Sequence, residues 1–232
     1  MKNFLKGCTL LITLISFCSF SQTSSSDLAL WSSIGVNYSP VKKLKFGLEQ
    51  HLRLKEQAVT IDEYFTELSV KYEFFKNFEI GGGVRFIKEN DNVGNKQGFR
   101  DYFRYNIDIS YSHDIKRFEI GYRIRYQNKR EVDLPNNETD TPTENIRFKT
   151  SIKYKIKKWP LDPKFSAEVF SRRGDGELVV SDASLSKYRL TLGTEYDFKK
   201  FGELGAYFRY QENTNNLESI KVIGLKYTYS IK

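Results

Sequence analysis

Apolar and polar side chains alternate along one stretch of this sequence after another, and that alternation limits the fold more than any other feature. In residues 118–127, which read FEIGYRIRYQ, every second residue is apolar or aromatic, and the residues between them are charged, polar or small. Successive side chains of an extended strand point to opposite faces of the sheet. The stretch therefore predicts a strand with one apolar face and one polar face.

The same period of two residues recurs in ten further segments, and no helical period of 3.6 residues occurs after the first 21 residues. We therefore predict an all-β chain with about eleven strand candidates. The further segments are 28–38, 44–55, 64–74, 78–86, 102–111, 146–156, 164–172, 188–198, 204–211 and 221–231.

Segment length and aromatic placement indicate which face looks inward. In a soluble sheet the apolar face would form the core, whereas in a membrane barrel it would meet lipid and the charged face would line the interior. The segments are longer than the 5–6 residues typical of soluble strands and match the roughly 9–11 residues of tilted membrane strands. Tyr and Phe cluster near segment ends, where membrane barrels have aromatic girdles. We predict an antiparallel transmembrane up-and-down β-barrel, with a soluble lipocalin-like barrel or a sandwich as the alternative.

The connecting segments add support and raise a question of strand number. Short connectors such as SPVKK and FKN alternate strictly with long ones such as ENDNVGNKQG. Outer-membrane barrels combine tight periplasmic turns with longer outer loops, and bacterial ones usually have an even strand number. We expect 10–12 strands: either ten, with residues 22–38 tucked away from the wall, or twelve, with one strand missed.

Residues 1–21 indicate a secretory signal peptide. Two early lysines precede the apolar stretch CTLLITLISFCSF, which is too short to span a membrane, and SFS stands before Gln22. We expect cleavage near Ser21, which leaves residues 22–232 as an outer-membrane β-barrel domain in a Gram-negative cell. Both cysteines lie in the removed segment, so the mature chain would have no disulfide or thiolate chemistry.

The beginning of the mature chain contains weak but characteristic features. Trp31 lies in LALWSSIGVNYSP, and Glu49 and Arg53 face inward in KLKFGLEQHLRL. With the strand alternation over the whole mature chain, these features resemble an uncharacterised family of outer-membrane barrels from Bacteroidetes that carries a domain-of-unknown-function label. The resemblance implies the barrel fold and the outer-membrane location. It implies no activity, because none is assigned to that family.

Cationic side chains concentrate on two neighbouring strand candidates, segments 118–127 and 146–156. On these two segments Glu119 is the only acidic residue that alternation turns inward. Because an unpaired buried charge is costly, many inward charges should pair across the lumen. We expect an interior largely filled by charged side chains and a structural or loop-presenting role; the alternative is a narrow anion-favouring pore or a binder of small anionic ligands. The residues expected to face such an anion are Arg123, Arg125, Arg147, Lys149 and Lys153.

The charge pattern also bears on partners. The full chain has a formal net charge of +8, but its basic residues alternate along strands and form no clustered arm of the kind that binds nucleic acid. We therefore expect outer-membrane lipid as a partner, a small anionic solute in the pore alternative, and no nucleic acid.

The sequence contains no metal-binding cluster, cofactor loop or catalytic triad, so we expect no cofactor, no metal and no enzymatic activity. His51 is the one residue with catalytic potential, and an outer-membrane lipid hydrolase or deacylase that uses His51 is the rival hypothesis. By alternation His51 points inward, as do Ser110 and Ser151, so such a pair could not easily reach membrane lipid.

Overall fold

The computed structural model describes residues 26–91, 97–132, 142–157, 159–172, 184–214 and 218–231; the predicted signal peptide lies outside these ranges. The alternating segments fold into eleven β-strands that form one closed barrel. The strands are β1 (Ser26–Val41), β2 (Leu44–Lys55), β3 (Thr60–Phe75), β4 (Phe78–Asp91), β5 (Gly98–Ile115), β6 (Phe118–Glu131), β7 (Thr143–Tyr154), β8 (Lys164–Arg172), β9 (Ser184–Asp197), β10 (Glu203–Asn213) and β11 (Ser219–Ile231), with a short 3-10 helix at Lys199–Phe201.

Within the described ranges, no helix is long and apolar enough to cross a membrane.

Each strand runs antiparallel to its neighbours in sequence, and β1 and β11 close the barrel by pairing in parallel. In this closing pair Ser26 lies opposite Ser219 and Tyr38 lies opposite Ile231. The prediction of an all-β barrel of 10–12 strands is confirmed, but the ten-strand and twelve-strand arrangements were both wrong. The first segment is a full strand of the wall, and the even-number argument failed because it assumed that every neighbouring pair is antiparallel.

The barrel has two ends with different connections. At the turn end lie the connections that follow β1, β3, β5, β7 and β9, and at the loop end lie those that follow β2, β4, β6, β8 and β10. The predicted strict alternation of connector length was wrong at three places: residues 56–59 form a tight connection at the loop end, residues 155–163 form a longer one at the turn end, and the connections 198–202 and 214–218 are equally long. The first is short because pairing of β2 with β3 continues to Lys55 and Thr60.

Large apolar side chains cover the outside of the wall. Ile124 of β6 and Leu192 of β9 are each 57% exposed, whereas Arg125, next to Ile124, is only 9% exposed and turns inward. The same division follows from the alternation in each strand, because odd and even residues occupy opposite faces. The apolar face therefore looks outward, as we predicted for a membrane barrel.

Aromatic residues form a band near each end of this outer face. At the loop end the hydroxyls of Tyr188 and Tyr210 both donate to Glu212, and the hydroxyl of Tyr126 donates to Glu144. At the turn end aromatic rings contact one another across neighbouring strands, with centroid distances of 4.6 Å for Phe78 and Tyr111 and 4.9 Å for Phe118 and Tyr154. At the end of β9 the rings of Tyr196 and Phe198 lie 4.5 Å apart. Two aromatic bands thus border the apolar one.

A small apolar patch lies inside the barrel at the closing pair. Ala29 and Trp31 of β1 and Val222 of β11 are buried together, and Tyr207 of β10 packs against them. Gly224 makes room for that tyrosine, because a Cβ at this position would lie 2.0 Å from the ring atom Cζ of Tyr207. The rest of the interior is mostly polar.

Candidate functional site

The lumen contains a cavity of about 920 Å³ that is lined by side chains from all eleven strands. It extends from Lys129 and Asn213 near the loop end to Glu195 and Lys226 near the turn end. Charged side chains line the interior, as the sequence indicated. They do not fill it completely, so the expectation of a largely filled lumen has to be revised to a lined one with open space.

On one side of the cavity each carboxylate has its own cation. We call this set the paired wall. Arg125 donates two hydrogen bonds to Asp108, with Nε–Oδ1 at 3.1 Å and Nη2–Oδ2 at 2.9 Å. The other members are the pairs Arg53–Glu63, Arg85–Glu67, Lys129–Glu89 and Lys226–Glu49. Pairing and hydrogen bonding of this kind offset the cost of removing both charges from water.

On the other side six cations line the cavity, and three of them lie within 4.0 Å of a single carboxylate. We call this set, which consists of Arg123, Arg147, Lys149, Lys187, Arg189 and Arg209, the basic wall. Glu168 of β8 is the shared acid: its Oε1 accepts from Arg123 Nη2 at 2.7 Å and from Arg147 Nη2 at 2.9 Å. Its Oε2 lies 3.9 Å from Nη1 of Arg189. Among the described residues, no carboxylate lies within 4.0 Å of Lys149, Lys187 or Arg209.

Neutral groups hold the remaining arginines of the basic wall in place. Nε of Arg189 donates to Oε1 of Gln211 at 2.6 Å, and Nε of Arg209 donates to Oγ1 of Thr191 at 3.0 Å. The ring of Trp31 lies beneath both guanidinium groups, with centroid distances of 5.6 Å and 5.0 Å. These contacts orient the cations but do not cancel their charge, so the positive potential of this wall extends into the cavity.

Two buried guanidinium groups also keep unused donors. Nε and Nη2 of Arg104 and Nε of Arg123 have no hydrogen-bond partner among the described residues. Arg104 is 9% exposed and lines the cavity. An unsatisfied buried donor is costly, and a bound oxyanion or water would relieve that cost.

The structure brings together four of the five residues that the sequence proposed for an anion. Arg123, Arg125, Arg147 and Lys149 line the cavity, but Arg125 is neutralised by Asp108. Lys153, opposite Glu119 in the ladder near the turn end, is outside the lining set.

The sequence argument missed the basic residues of β9 and β10. Alternation alone places Lys187, Arg189 and Arg209 on the inner face, but we compared charges on only two neighbouring segments. The position of Glu168 beside Arg123 was also missed, because it depends on the register of three strands.

His51 occupies the paired wall. Its Nε2 lies 3.2 Å from Oε2 of Glu49, and its ring stacks on Phe65 with a centroid distance of 4.3 Å. Ser33 lies opposite His51 in the ladder, but no hydrogen bond joins the two side chains among the described contacts. Ser110 pairs with Arg123 in the ladder, and the hydroxyl of Ser151 donates to the carbonyl of Gly121, so neither serine lies beside His51.

Comparison with known proteins identifies a family and two solved structures of low similarity. A family model described as "Protein of unknown function (DUF2490)" matches residues 28–219. The solved structure of the outer-membrane expressed OmpT of Vibrio cholerae is similar with a TM-score of 0.41 and 12% identity, over 73% of this chain and 54% of that chain. This chain therefore spans about half the length of that protein.

A second solved structure, from work on the in-meso crystallization of membrane proteins, has a TM-score of 0.41 and 14% identity, over 87% of this chain and 79% of that chain. No curated protein matches the sequence.

Proposed function

The chain belongs to the DUF2490 family of proteins of unknown function, and we propose that this member is an outer-membrane β-barrel whose lumen binds small anionic solutes. The observation that carries the proposal is the basic wall, where six cations line an open cavity and, among the described residues, only three of them lie within 4.0 Å of a carboxylate, that of Glu168. Rings of Arg or Lys are a known basis of anion selectivity in membrane pores. An origin in Bacteroidetes stays a prediction.

The outer surface supports the membrane location. Apolar side chains face outward between two aromatic bands, while the charged side chains face the lumen, which is the arrangement that lipid requires. An apolar surface of this extent would drive association in water. We expect the protein in the outer-membrane fraction, with a gel mobility that changes on heating. Recovery as a soluble periplasmic protein without detergent would overturn the location.

The size and donors of the cavity indicate the class of solute. A volume of about 920 Å³ lies within the range of roughly 300–1,000 Å³ that is usual for small-molecule sites. Guanidinium groups bind carboxylate and phosphate oxygens through two parallel hydrogen bonds. Small carboxylates and phosphates are therefore the solutes that fit the basic wall best.

A structural, loop-presenting barrel is the second candidate, and the paired wall favours it. There the ion pairs occupy the lumen and satisfy one another, so that side offers little to a ligand. Barrels near the small end of the size range are filled by side chains, whereas wide channels need about 16–18 strands. Conductance separates the two candidates.

The decisive experiment is a planar-bilayer recording under a KCl gradient. We expect small steps whose reversal potential favours chloride, and a several-fold loss of that preference in the variant Arg189→Gln/Arg209→Gln. The matched control is Arg85→Gln/Glu67→Gln, which removes one cation and one anion and should keep the preference. Heat-modifiable mobility checks that each variant folds. A bilayer without conductance, or steps that select cations, would count against anion binding in the lumen.

We propose no catalytic activity for this barrel. His51 is held between Glu49 and Phe65 inside the paired wall, which suits a hydrogen-bonding role. The rival hypothesis, a lipid hydrolase or deacylase that uses His51, is tested by lipase and deacylase assays on the purified protein and on His51→Ala. Activity that disappears in the variant would refute the non-enzymatic proposal.

A further inference from the structure

The segments that connect the strands differ in sequence charge between the two ends of the barrel. Among the five turn-end connections Asp162 is the only acidic residue, whereas the loop-end connections contain the acids Glu56, Asp133, Glu138, Asp140, Asp175, Glu177, Asp182 and Glu218 and the cations Lys96 and Arg173. Every turn-end connection contains a basic residue, so the cations surround the whole opening. They are Lys42, Lys43, Lys76, Lys116, Arg117, Lys155, Lys157, Lys158, Lys199 and Lys200.

The turn-end cations that the structure describes project from the barrel, and most of them are unpaired within the described ranges. All of them that the structure describes are exposed. Lys155 is the paired exception: its Nζ lies 3.0 Å from Asp114 and 3.3 Å from Glu119, and the hydrogen bonds that it donates to these carboxylates raise its pKa. The other cations have no carboxylate within 4.0 Å among the described residues. We call these exposed residues the basic ring.

The basic ring lies next to the aromatic band of the turn end. Phe75 is 69% exposed, Phe201 is 74% exposed and Trp159 is 57% exposed, and each stands in or beside a turn that contributes a cation. Aromatic residues collect at the boundary between hydrocarbon and headgroups. Cations immediately beyond that boundary are at the depth of lipid phosphates, to which clustered Lys and Arg are attracted.

We propose that the basic ring binds the headgroups of anionic phospholipids in the leaflet at the turn end. This inference rests on the membrane location proposed above, but it does not depend on the lumen. The charge complementarity is specific to one end, because the acidic connections of the loop end would repel the same headgroups. The ring thereby selects both a lipid class and the leaflet in which the turn end sits.

The two tryptophans of the chain provide a native reporter. Trp159 is exposed in a turn that belongs to the ring, whereas Trp31 is 7% exposed and lies inside the lumen. Bromine atoms on a lipid quench a tryptophan only at close range, so brominated lipid reports on Trp159. The experiment reconstitutes the full barrel in phosphatidylcholine vesicles that contain brominated phosphatidylglycerol or, at the same mole fraction, brominated phosphatidylcholine.

We expect the apparent affinity for phosphatidylglycerol to exceed that for phosphatidylcholine roughly fivefold or more, which corresponds to the contribution of one basic residue near an anionic surface. The variant Arg117→Gln/Lys157→Gln/Lys200→Gln removes three cations of the ring and should lower the preference at least twofold. The matched control, Lys88→Gln/Arg130→Gln/Lys221→Gln, removes the same charge from the loop end and should keep it.

The outcomes separate the two proposals. Equal quenching by both brominated lipids, or a preference that is undiminished in the turn-end variant, would overturn lipid selection by the basic ring while the barrel remains a membrane protein. A Trp159 that neither lipid quenches, together with failure to incorporate into vesicles, would instead overturn the membrane location itself.

Discussion

The paired wall and the basic wall use the same residue types for opposite purposes. Arg125 of the paired wall makes two hydrogen bonds to Asp108, whereas Arg189 of the basic wall donates to the neutral Gln211 and lies 3.9 Å from the carboxylate of Glu168. The first arrangement satisfies the charge within the protein. The second leaves positive charge directed at an open cavity, so it favours a ligand from outside. Stability should therefore depend on the paired wall and on Glu168, and anion binding on the basic wall.

The largest effect should come from Glu168→Gln. This change removes the carboxylate that Arg123 and Arg147 share and leaves like charges close together in the lumen. Breaking a buried ion pair costs about 3–5 kcal/mol, and we expect a loss of that size in the free energy of unfolding. Denaturant unfolding in detergent, followed by the fluorescence of the lumenal Trp31, provides the measurement.

Glu67→Gln is the matched comparison for that prediction. Glu67 serves Arg85 alone in the paired wall, so its loss should be smaller than the loss at Glu168. If the two variants unfold at the same denaturant concentration, the distinction between a shared and a private carboxylate is wrong.

The second-largest effect on the free energy of unfolding should appear when one arginine from each wall is replaced. Arg125→Gln leaves Asp108 with the amide of Asn106 as its remaining described partner and should lower the free energy of unfolding by about 3 kcal/mol. Arg189→Gln removes one cation from the basic wall, where like charges lie close together, and should change the free energy of unfolding by about 1 kcal/mol or less. The same unfolding measurement decides, and a larger loss for Arg189→Gln would reverse the roles that we assign to the two walls.

A smaller effect should follow from adding an anion. Inorganic phosphate should stabilise the wild-type barrel more than chloride at equal ionic strength, by about 1.4 kcal/mol when its concentration is ten times the dissociation constant. The gain should vanish in Arg189→Gln/Arg209→Gln, because the basic wall is the part of the lumen with uncancelled charge. Thermal unfolding of the purified wild type and of the variant, each with phosphate and with chloride, measures the gain in the two proteins. An undiminished gain in the variant would place the anion elsewhere.

The smallest effect should come from an ion pair on the outer surface. Lys88 and Asp101 lie 2.7 Å apart near the loop end, and both side chains are more than 40% exposed. Exposed pairs contribute about 0–1 kcal/mol, so Lys88→Gln should unfold at nearly the wild-type denaturant concentration. A loss as large as that of Arg125→Gln would show that burial is not what separates these pairs.

The alternation of residues predicted much of the fold because it depends on nearest neighbours in sequence. The strand at Phe118 and the outward position of Ile124 follow directly from the period of two. The parallel closure could not be predicted in this way, because the pairing of Ser26 with Ser219 joins distant parts of the chain and leaves no local mark.

The site was predictable only in part, for a related reason. Alternation places Arg189 and Arg209 inward, so their orientation could have been read from the sequence. Which cations are neutralised depends on register across several strands. Glu168 reaches Arg123 two strands away, and the pairing of Asp108 with Arg125 removed one residue from the set that we proposed.

The parallel closing pair also has a kinetic consequence. It joins the two strands that are farthest apart in the chain, and contacts of such long sequence separation form late because loop closure must precede them. Parallel pairing is also slightly weaker per residue than antiparallel pairing. The buried contact of Ala29 and Trp31 with Val222 lies across this join and reinforces it from inside. The wall therefore has one weak junction, the pairing of β1 with β11. This pairing forms last during assembly and separates first when the barrel unfolds. Three apolar side chains stabilise it from inside.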